Sequence, residues 1–362
     1  MTATGPAVPT SAPAAGTTPD VVALGESMVT FRPSEPGRLA DVPSFDRGIG
    51  GAESNVACVL AAAGHRSAWI SRVGADGFGD HLVEAIGAYG VDTSAVRRDL
   101  HRPTGIYFRT AGDRASAAHE VAYYRAGSAA SAMSPANLDL DALRSGRILH
   151  LSGITAALSA SCLDLLRTLV STRTGSAPLV SFDVNYRPGL WPGSAEGPDV
   201  LLELARRADI VFVGDDEAED AWGITGGPDA IREALPEPSL LVVKRGADGA
   251  VAYDADGRHD EPAPRVDVVA AVGAGDAFAA GFLSATLRGL PVAERLRHGH
   301  LWAAVALTEP GDLAAPPSRA RADRLVGLDA DRWGRLHVGP GWADATGEAT
   351  DREAAEEEVR TP

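Results

Sequence analysis

A glycine-rich segment that leads into a helical pattern carries the strongest chemical signal in this sequence: VGAGDAFAAGFLSATL, from Val272 to Leu287. Gly273, Ala274 and Gly275 are small enough to leave the backbone amides at the start of the helix facing a ligand. Such a helix start favours an anion, for example a phosphate, through its free N–H groups and its dipole. The carboxylate of Asp276 would repel that anion unless it acts on a nucleophile beside it. A capping role for Asp276 is the alternative.

A second glycine-rich segment, GAESNVACVLAAAG at 51–64, also precedes a helical pattern. Gly51 permits a ligand to approach the backbone closely, and the helix carries Glu53 and Asn55. On its own, this segment is more often a tight strand-to-helix turn. A dinucleotide site is a poor match for the first segment, because Phe278 occupies the sixth place of GxGxxG and no acidic residue ends a strand about 20 residues later.

Short apolar runs alternate with helical patterns and predict the framework that positions these segments. The runs lie at 21–25, 67–73, 147–152, 179–184, 209–213 and 240–244. Strands that are apolar throughout and separated by helices form mostly parallel sheets with both faces covered. The sequence therefore predicts a doubly wound α/β fold with helices on both sides of the sheet.

Two regions, at about 28–48 and about 103–126, interrupt this alternation. In the second of them, Gly105–Thr110 and Glu120–Arg125 carry aromatic and polar residues, as in an antiparallel hairpin with a polar loop. These strands are too polar for the centre of the main sheet. We therefore expect a small β-sheet that projects from the core, and we call it the lid.

The composition narrows the class of protein. The 362 residues are 45% hydrophobic and carry a net charge of −16, and no apolar run reaches the roughly 18 residues of a membrane helix. The acidic balance and the single lysine, Lys244, argue against nucleic-acid binding. Cys58 and Cys162 lie in apolar helical patterns, which predicts buried thiols in a reducing, cytoplasmic compartment. His298 and His300 are expected on a helix surface.

One domain is predicted at 20–340, between two tails. Residues 1–19 are mostly Ala, Pro, Thr, Gly and Ser, and they lack the basic and apolar regions of a signal peptide. Residues 341–362 are acidic and rich in alanine, with too little apolar surface to offset the entropy of ordering. Both tails are expected to be disordered.

Six motifs occur in the order found in the ribokinase-like, or PfkB, family of carbohydrate kinases, which the sequence resembles from about residue 21 to about residue 318. The motifs are GIGGAESNVA (48–57), WISRVGADGFGDHL (69–82), FDVNYRPGLW (182–191), GDDEAE (214–219), VVKRGADGA (242–250) and VGAGDAFAAGF (272–282). The resemblance implies a ribokinase-like fold and phosphoryl transfer from ATP to a sugar hydroxyl.

The same resemblance implies roles for the residues around Asp276. In this family the Asp of GAGD is the general base, and the backbone amides from Gly273 to Asp276, which include those of Ala274 and Gly275, form an anion hole for the γ-phosphate. Phosphoryl transfer needs such an anion site and a base near the attacking hydroxyl. The residues expected at the nucleotide are Lys244, Gly246, Gly273 and Gly275. For Lys244 the alternative is simply the end of a strand.

The resemblance also implies Mg²⁺, bound indirectly through water by Glu217, the acidic residue of the NxxE motif. Gly214 stands here in place of the Asn of that motif. The alternative for Glu217 is an acidic helix start that complements the dipole. Ala270 and Ala271 replace an Asp-Thr pair whose Asp helps to bind a monovalent cation in some members, which argues against potassium activation.

Within the family, the sequence is most similar to 2-keto-3-deoxygluconate kinases, which share GGAE, a Tyr on the first lid strand, YYR on the next, the GSAxSAM continuation and DVNYRxxLW. The residues that this similarity places around the sugar acid are Gly51, Tyr107, Tyr123, Arg125, Arg187 and Asp276. Arginine binds a carboxylate through two parallel hydrogen bonds, a partner that a neutral hexose lacks. The implied reaction is ATP-dependent phosphorylation of 2-keto-3-deoxygluconate at O6.

Other interpretations remain open at this point. Tyr107 and Tyr123 can form a cross-strand aromatic pair, with Tyr124 packing on the opposite face. Arg125 can be a surface charge at a strand end, and Arg187 can face the nucleotide phosphates. The alternative functions are a kinase for a neutral sugar such as fructose or ribose, and a kinase-fold sugar sensor without turnover.

The lid also predicts a partner. A small sheet with one apolar face is rarely stable alone, so we expect the lids of two subunits to pack together. The family resemblance implies the same arrangement. The expected partners are therefore ATP, a small sugar acid and a second copy of the chain, in a homodimer or a higher homo-oligomer, with no nucleic acid and no membrane.

Overall fold

The computed structural model describes residues 18–35, 37–110, 121–171, 177–191 and 197–343. Most of both predicted tails, and the predicted loop of the lid hairpin, lie outside these ranges. Trp342, which the prediction placed in the C-terminal tail, is buried against the core beside Arg321. The folded domain therefore continues past residue 340.

The strands of the described chain are short. In chain order they are β1 (Val21–Leu24), β2 (Met28–Pro33), β3 (Phe45–Gly50), β4 (Ser67–Ile70), β5 (Arg72–Gly74), β6 (Arg97–Asp99), β7 (Ile106–Arg109), β8 (Val121–Tyr124), β9 (Ile148–Ser152), β10 (Leu179–Asp183), β11 (Ile210–Gly214), β12 (Leu240–Lys244), β13 (Ala250–Asp254), β14 (Gly257–Glu261), β15 (Arg265–Val266) and β16 (His337–Val338).

The main sheet has eight strands in the order β14-β13-β12-β11-β10-β9-β1-β4. The run from β12 to β4 is parallel throughout, and these strands are the six apolar runs predicted from the sequence. Beyond β12, the antiparallel strands β13 and β14 form one edge of the sheet; this hairpin was not predicted from the sequence. The prediction of a doubly wound, mostly parallel sheet is confirmed.

A separate sheet of four strands, in the order β3-β2-β7-β8, forms the predicted lid. β7 pairs with β8 in antiparallel register, which places Tyr107 opposite Tyr123. Strand alternation then gives the lid two different faces. Tyr107 and Arg109 are buried on one face, while Phe108 belongs to a half-buried aromatic group on the other.

Helices cover both faces of the main sheet. They are α1 (Ala52–Ala62), α2 (Gly77–Ala88), α3 (Leu140–Leu143), α4 (Gly153–Leu158), α5 (Ala160–Ser171), α6 (Asp199–Ala205), α7 (Asp215–Trp222), α8 (Gly227–Ala234), α9 (Ala274–Leu287), α10 (Val292–Thr308), α11 (Arg319–Val326) and α12 (Ala330–Gly334). One apolar core lies under α4, α5, α6 and α8, and a second lies under α1, α9 and α10. Among the described residues, none of these helices is both long enough and apolar enough to cross a membrane.

The prediction that His298 and His300 lie on a helix surface is wrong. Both side chains are buried in α10, and burial lowers the pKa of each imidazole to about 4. His300 Nε2 lies 3.1 Å from the carbonyl oxygen of Glu261, and its ring packs edge-on against Phe278. His298 Nε2 lies 3.4 Å from Asp323 Oδ1 of α11. Because α11 meets His298 while β14 and α9 meet His300, both histidines are covered, which the sequence periodicity did not show.

Candidate active site

The carboxyl ends of the central strands face a cavity of about 920 Å³ that the lid borders on the other side. This edge includes β1 and β9, between which the winding direction of the sheet reverses, the usual ligand position in such folds. The predicted site residues that line the cavity are Gly51, Tyr107, Tyr123, Arg125, Arg187, Glu217, Lys244, Gly273, Ala274, Gly275 and Asp276. Gly246 begins a short 3₁₀ helix and is not among the lining residues.

Asp276 lies in the first turn of α9, and its side chain is hydrogen-bonded to a residue of α1. Asn55 of α1 donates a hydrogen bond of 2.8 Å from Nδ2 to Asp276 Oδ2. Burial raises the pKa of Asp276 to about 7, helped by the nearby carboxylate of Asp183 and opposed by the Asn55 hydrogen bond, Arg187 and Lys244. A carboxyl group with this pKa can accept a proton near neutral pH.

The start of α9 is shaped by glycine. Gly273 has a φ of 77°, and a Cβ there would lie 2.3 Å from the carbonyl oxygen of Asp312. Both features demand glycine at this position. Ala274, Gly275 and Asp276, which follow it, line the cavity at the start of a long helix, where free backbone N–H groups favour an anion.

Lys244, at the end of β12, supplies a cation beside that helix start. Its Nζ lies 3.1 Å from Asp183 Oδ1 and 3.9 Å from the place that a Cβ on Gly275 would occupy. Burial by itself would lower the pKa of Lys244, but the carboxylates of Asp183 and Glu217 outweigh it and raise the pKa. Lys244 therefore stays protonated beside the start of α9.

The lid side of the cavity brings together the three predicted lid residues. The rings of Tyr107 and Tyr123 pack 5.4 Å apart, so the aromatic pair exists and also lines the cavity. Tyr107 is buried, whereas Tyr123 is half-exposed. Arg125 is not a surface charge, because only 12% of its side chain is exposed and it forms an ion pair with the buried Glu26.

Asp312 connects the lid to the start of α9. Tyr107 donates a hydrogen bond of 2.8 Å from its hydroxyl to Asp312 Oδ2, and Arg109 pairs with the other oxygen. The side chains of Arg109 and Asp312 are both almost fully buried. The carbonyl oxygen of the same Asp312 packs against Gly273. The lid strand β7 is thus joined to the loop that packs against Gly273 at the start of α9.

Glu217 has two partners in the site. Its Oε2 accepts a hydrogen bond of 2.8 Å from the backbone N–H of Gly214, which caps α7, and its Oε1 lies 3.5 Å from Arg187 Nη1. Glu217 is thus part of the acidic helix start considered from the sequence, and its side chain also lines the cavity. A Cβ on Gly214 would lie 2.3 Å from Asp216 Oδ1, so an Asn at this position would displace Asp216.

Several polar residues of the cavity were not predicted from the sequence: Glu26, Asp183, Asn185 and Asp312. Asp183 and Asn185 lie inside the FDVNYRPGLW motif, and the left-handed backbone of Asn185, with a φ of 42°, is the kind of strain found at functional sites. Glu26 directly follows the apolar run 21–25 that forms β1, a common position for a site residue, whereas no motif in the sequence marks the loop of Asp312.

Comparison with known proteins decides the family. The model of the pfkB family carbohydrate kinases matches residues 18–319. The chain belongs to this family. It is therefore a carbohydrate kinase that uses ATP and a sugar substrate, and the resemblance carried by the six motifs is confirmed.

Individual relatives cover most of the chain. A 2-dehydro-3-deoxygluconokinase of Bacillus subtilis (strain 168) is 36% identical over 306 residues, 83% of this chain and 94% of the relative. A 2-dehydro-3-deoxygluconokinase of Thermoproteus tenax is 33% identical, covering 84% of this chain and 94% of the relative. A sugar kinase of Pyrococcus horikoshii, solved in complex with ATP, is 28% identical with a TM-score of 0.72, covering 86% of this chain and 99% of that one.

Proposed function

We propose that this kinase transfers the γ-phosphoryl group of ATP to O6 of 2-keto-3-deoxygluconate, also called 2-dehydro-3-deoxygluconate. The observation that carries the proposal is that Arg125, Tyr107 and Tyr123 line the same cavity as Asp276. A guanidinium with spare N–H donors binds a carboxylate, which a neutral sugar lacks. The two relatives of that name support the same substrate.

The proposed step is a single displacement. The substrate hydroxyl gives its proton to the Asp276 carboxylate while its oxygen forms a bond to the γ-phosphorus, and the bond from that phosphorus to the β–γ bridging oxygen breaks to release ADP. The amides from Gly273 to Asp276 stabilise the negative charge on the transferring group, and Lys244 adds a positive charge beside them. Asn55 holds the base in place.

The residues present fit a magnesium ion that is held mainly by the nucleotide. Within the described ranges, no group of three or more His, Cys, Asp or Glu side chains is arranged to bind a metal by itself. Mg²⁺ in kinases keeps waters and phosphate oxygens and needs only one or two carboxylates. We assign Glu217 this role through water, with Asp216 beside it on the cavity wall. When bound, the ion neutralises charge on the phosphates.

A substrate panel tests the proposal directly. Consumption of ATP is measured with 2-keto-3-deoxygluconate, fructose and ribose at matched concentrations. We expect kcat/KM for the keto acid to exceed that for either neutral sugar by about 10³ or more, because a site built around a polar partner rejects analogues that lack it. A preference for fructose or ribose would support the neutral-sugar kinase, and no turnover with any of them would support a sugar sensor.

The pH dependence of turnover follows from the raised pKa of Asp276. Only the ionised carboxylate can accept the hydroxyl proton, so kcat/KM for the keto acid is expected to fall about tenfold per pH unit below pH 7. Asn55→Leu removes the hydrogen bond that favours the ionised form, so the midpoint should move to higher pH. The measurement is the pH profile of both proteins, in which any titration of ATP is common to both. An identical midpoint would contradict the role of Asn55.

We also propose that two copies of the chain associate through the outer faces of their lids. Phe108 packs against Phe31, Phe45 and Tyr124 on the face that points away from the cavity, with centroid distances of 4.9, 5.1 and 6.0 Å. Light scattering at micromolar concentration should give the mass of a dimer or a higher oligomer. Phe108→Glu places a charge in this cluster and should lower that mass, whereas a monomeric wild type would contradict the proposal.

The compartment belongs to the same proposal. Cys58 and Cys162 are buried free thiols, as expected from the sequence. Because unpaired thiols persist in reducing surroundings, we place the reaction in the cytoplasm.

A further inference from the structure

Glu26 is a buried carboxylate on the wall of the cavity. It lies between β1 of the main sheet and β2 of the lid, at the point where the chain passes from one to the other. Its residue surface is 3% exposed, yet it lines the cavity. A carboxylate in such a place is costly unless a cation and hydrogen bonds compensate it.

Both compensating partners lie where the chain leaves the lid. The guanidinium of Arg125, the residue directly after β8, pairs with Glu26 Oε2. Ser128 donates a hydrogen bond of 2.5 Å from its hydroxyl to Glu26 Oε1. A Cβ on Gly105 would lie 3.0 Å from the same oxygen, so the start of β7 also packs closely against the carboxylate. Glu26 is therefore held on several sides, and it holds Arg125 in turn.

This arrangement has two opposite consequences for an anionic substrate. The negative charge of Glu26 weakens the attraction of Arg125 for a carboxylate. The same charge fixes a long, flexible side chain, so that its remaining N–H donors point in one direction and less entropy is lost on binding. The pair is nearly buried, with 12% of the Arg125 side chain and 1% of the Glu26 side chain exposed, so water competes little for either charge and Arg125 is held in one orientation.

We propose that Glu26 is a positioning residue, which acts through Arg125 and thereby determines the preference for a sugar acid over a neutral sugar. The inference rests on the proposed function, because it requires Arg125 to bind the substrate carboxylate. Glu26 itself has no role in the phosphoryl transfer.

The test begins with Glu26→Gln, which keeps the size of the side chain and an acceptor for Ser128. We expect KM for 2-keto-3-deoxygluconate to rise about tenfold, with kcat and KM for ATP within about threefold of wild type. Ser128→Ala should shift KM in the same direction by less. A fall in KM for the acid would show that Glu26 only competes with the substrate, and it would overturn the proposal.

A double-mutant cycle separates positioning from general support of the fold. If Glu26 acts only through Arg125, then adding Glu26→Gln to Arg125→Ala should leave kcat/KM for the acid within about twofold of Arg125→Ala alone. Independent, multiplying losses would overturn the proposal. Asp99→Asn is the matched control, because it breaks another buried carboxylate–arginine pair, with Arg72 at 2.6 Å, away from the cavity. It should lower the melting temperature without changing the ratio of acid to fructose turnover.

The two proposals fail in different ways. If wild type does not favour the keto acid over fructose and ribose, the proposed substrate is wrong whatever Glu26→Gln does. If wild type favours the acid and folded Glu26→Gln keeps the wild-type KM, only the positioning role is wrong.

Discussion

Asp276→Asn is expected to lower kcat by about 10²–10⁴, the usual contribution of a positioned base. Asn has nearly the same shape and can still accept the hydrogen bond from Asn55 that now reaches Asp276 Oδ2 at 2.8 Å. It cannot take the proton of the substrate hydroxyl. Steady-state kinetics with saturating ATP and sugar acid measure the loss, and turnover within a few-fold of wild type would remove Asp276 from the proposed mechanism.

The same substitution should make the protein more stable, which distinguishes a lost base from a damaged fold. The pKa of Asp276 is about 7 rather than 3.8, so its ionised form opposes folding above pH 3.8 and opposes it fully above pH 7. Contact with solvent limits this cost to about 1–3 kcal/mol. Denaturant unfolding at pH 8 should therefore show a higher free energy of unfolding for Asp276→Asn, and the difference should vanish near pH 4.

The main sheet could be predicted because its signal is local. Each central strand is buried on both faces, so its sequence is apolar throughout, as in VVAL of β1 and LLVVK of β12. The glycine motifs are also local, because Gly273 must meet both a positive φ and a close carbonyl within one turn. The edge hairpin β13–β14 was missed because GRHDE in β14 is polar and half-exposed.

The parts that sequence could not show are contacts between distant segments. Asp312 meets Tyr107 and Arg109 from more than 200 positions away. Its loop, EPGDLAAPP, reads as an ordinary connection. The prediction that the α10 histidines are exposed failed for a related reason, because distant segments cover them: α11 meets His298, and β14 and α9 meet His300. The role of Glu26 was also invisible in the sequence, because its partner Arg125 lies about 100 residues later, directly after β8 of the lid.

Two arginines in the cavity should respond differently to removal, because they face different parts of it. Arg125 belongs to the lid and pairs with Glu26, whereas Arg187 lies 3.5 Å from Glu217, on the side proposed for the nucleotide. Arg125→Ala should weaken use of the keto acid by about 2–4 kcal/mol in kcat/KM, the cost of losing a desolvated charge partner. KM for ATP should stay nearly unchanged.

Arg187→Ala, by contrast, should raise KM for both substrates, because Arg187 lies close enough to Asp276 to influence its pKa and also borders Glu217. Arg125→Lys completes the set, since it keeps the charge but loses the planar fork, and it should restore only part of the loss. Without Arg125, the buried charge on Glu26 has no ion-pair partner and can destabilise the fold. Melting temperatures of the variants show whether a loss of activity comes from such destabilisation. If Arg125→Ala leaves the ratio of keto-acid to fructose turnover at the wild-type value, Arg125 does not read the carboxylate, and the acid must be recognised elsewhere in the cavity.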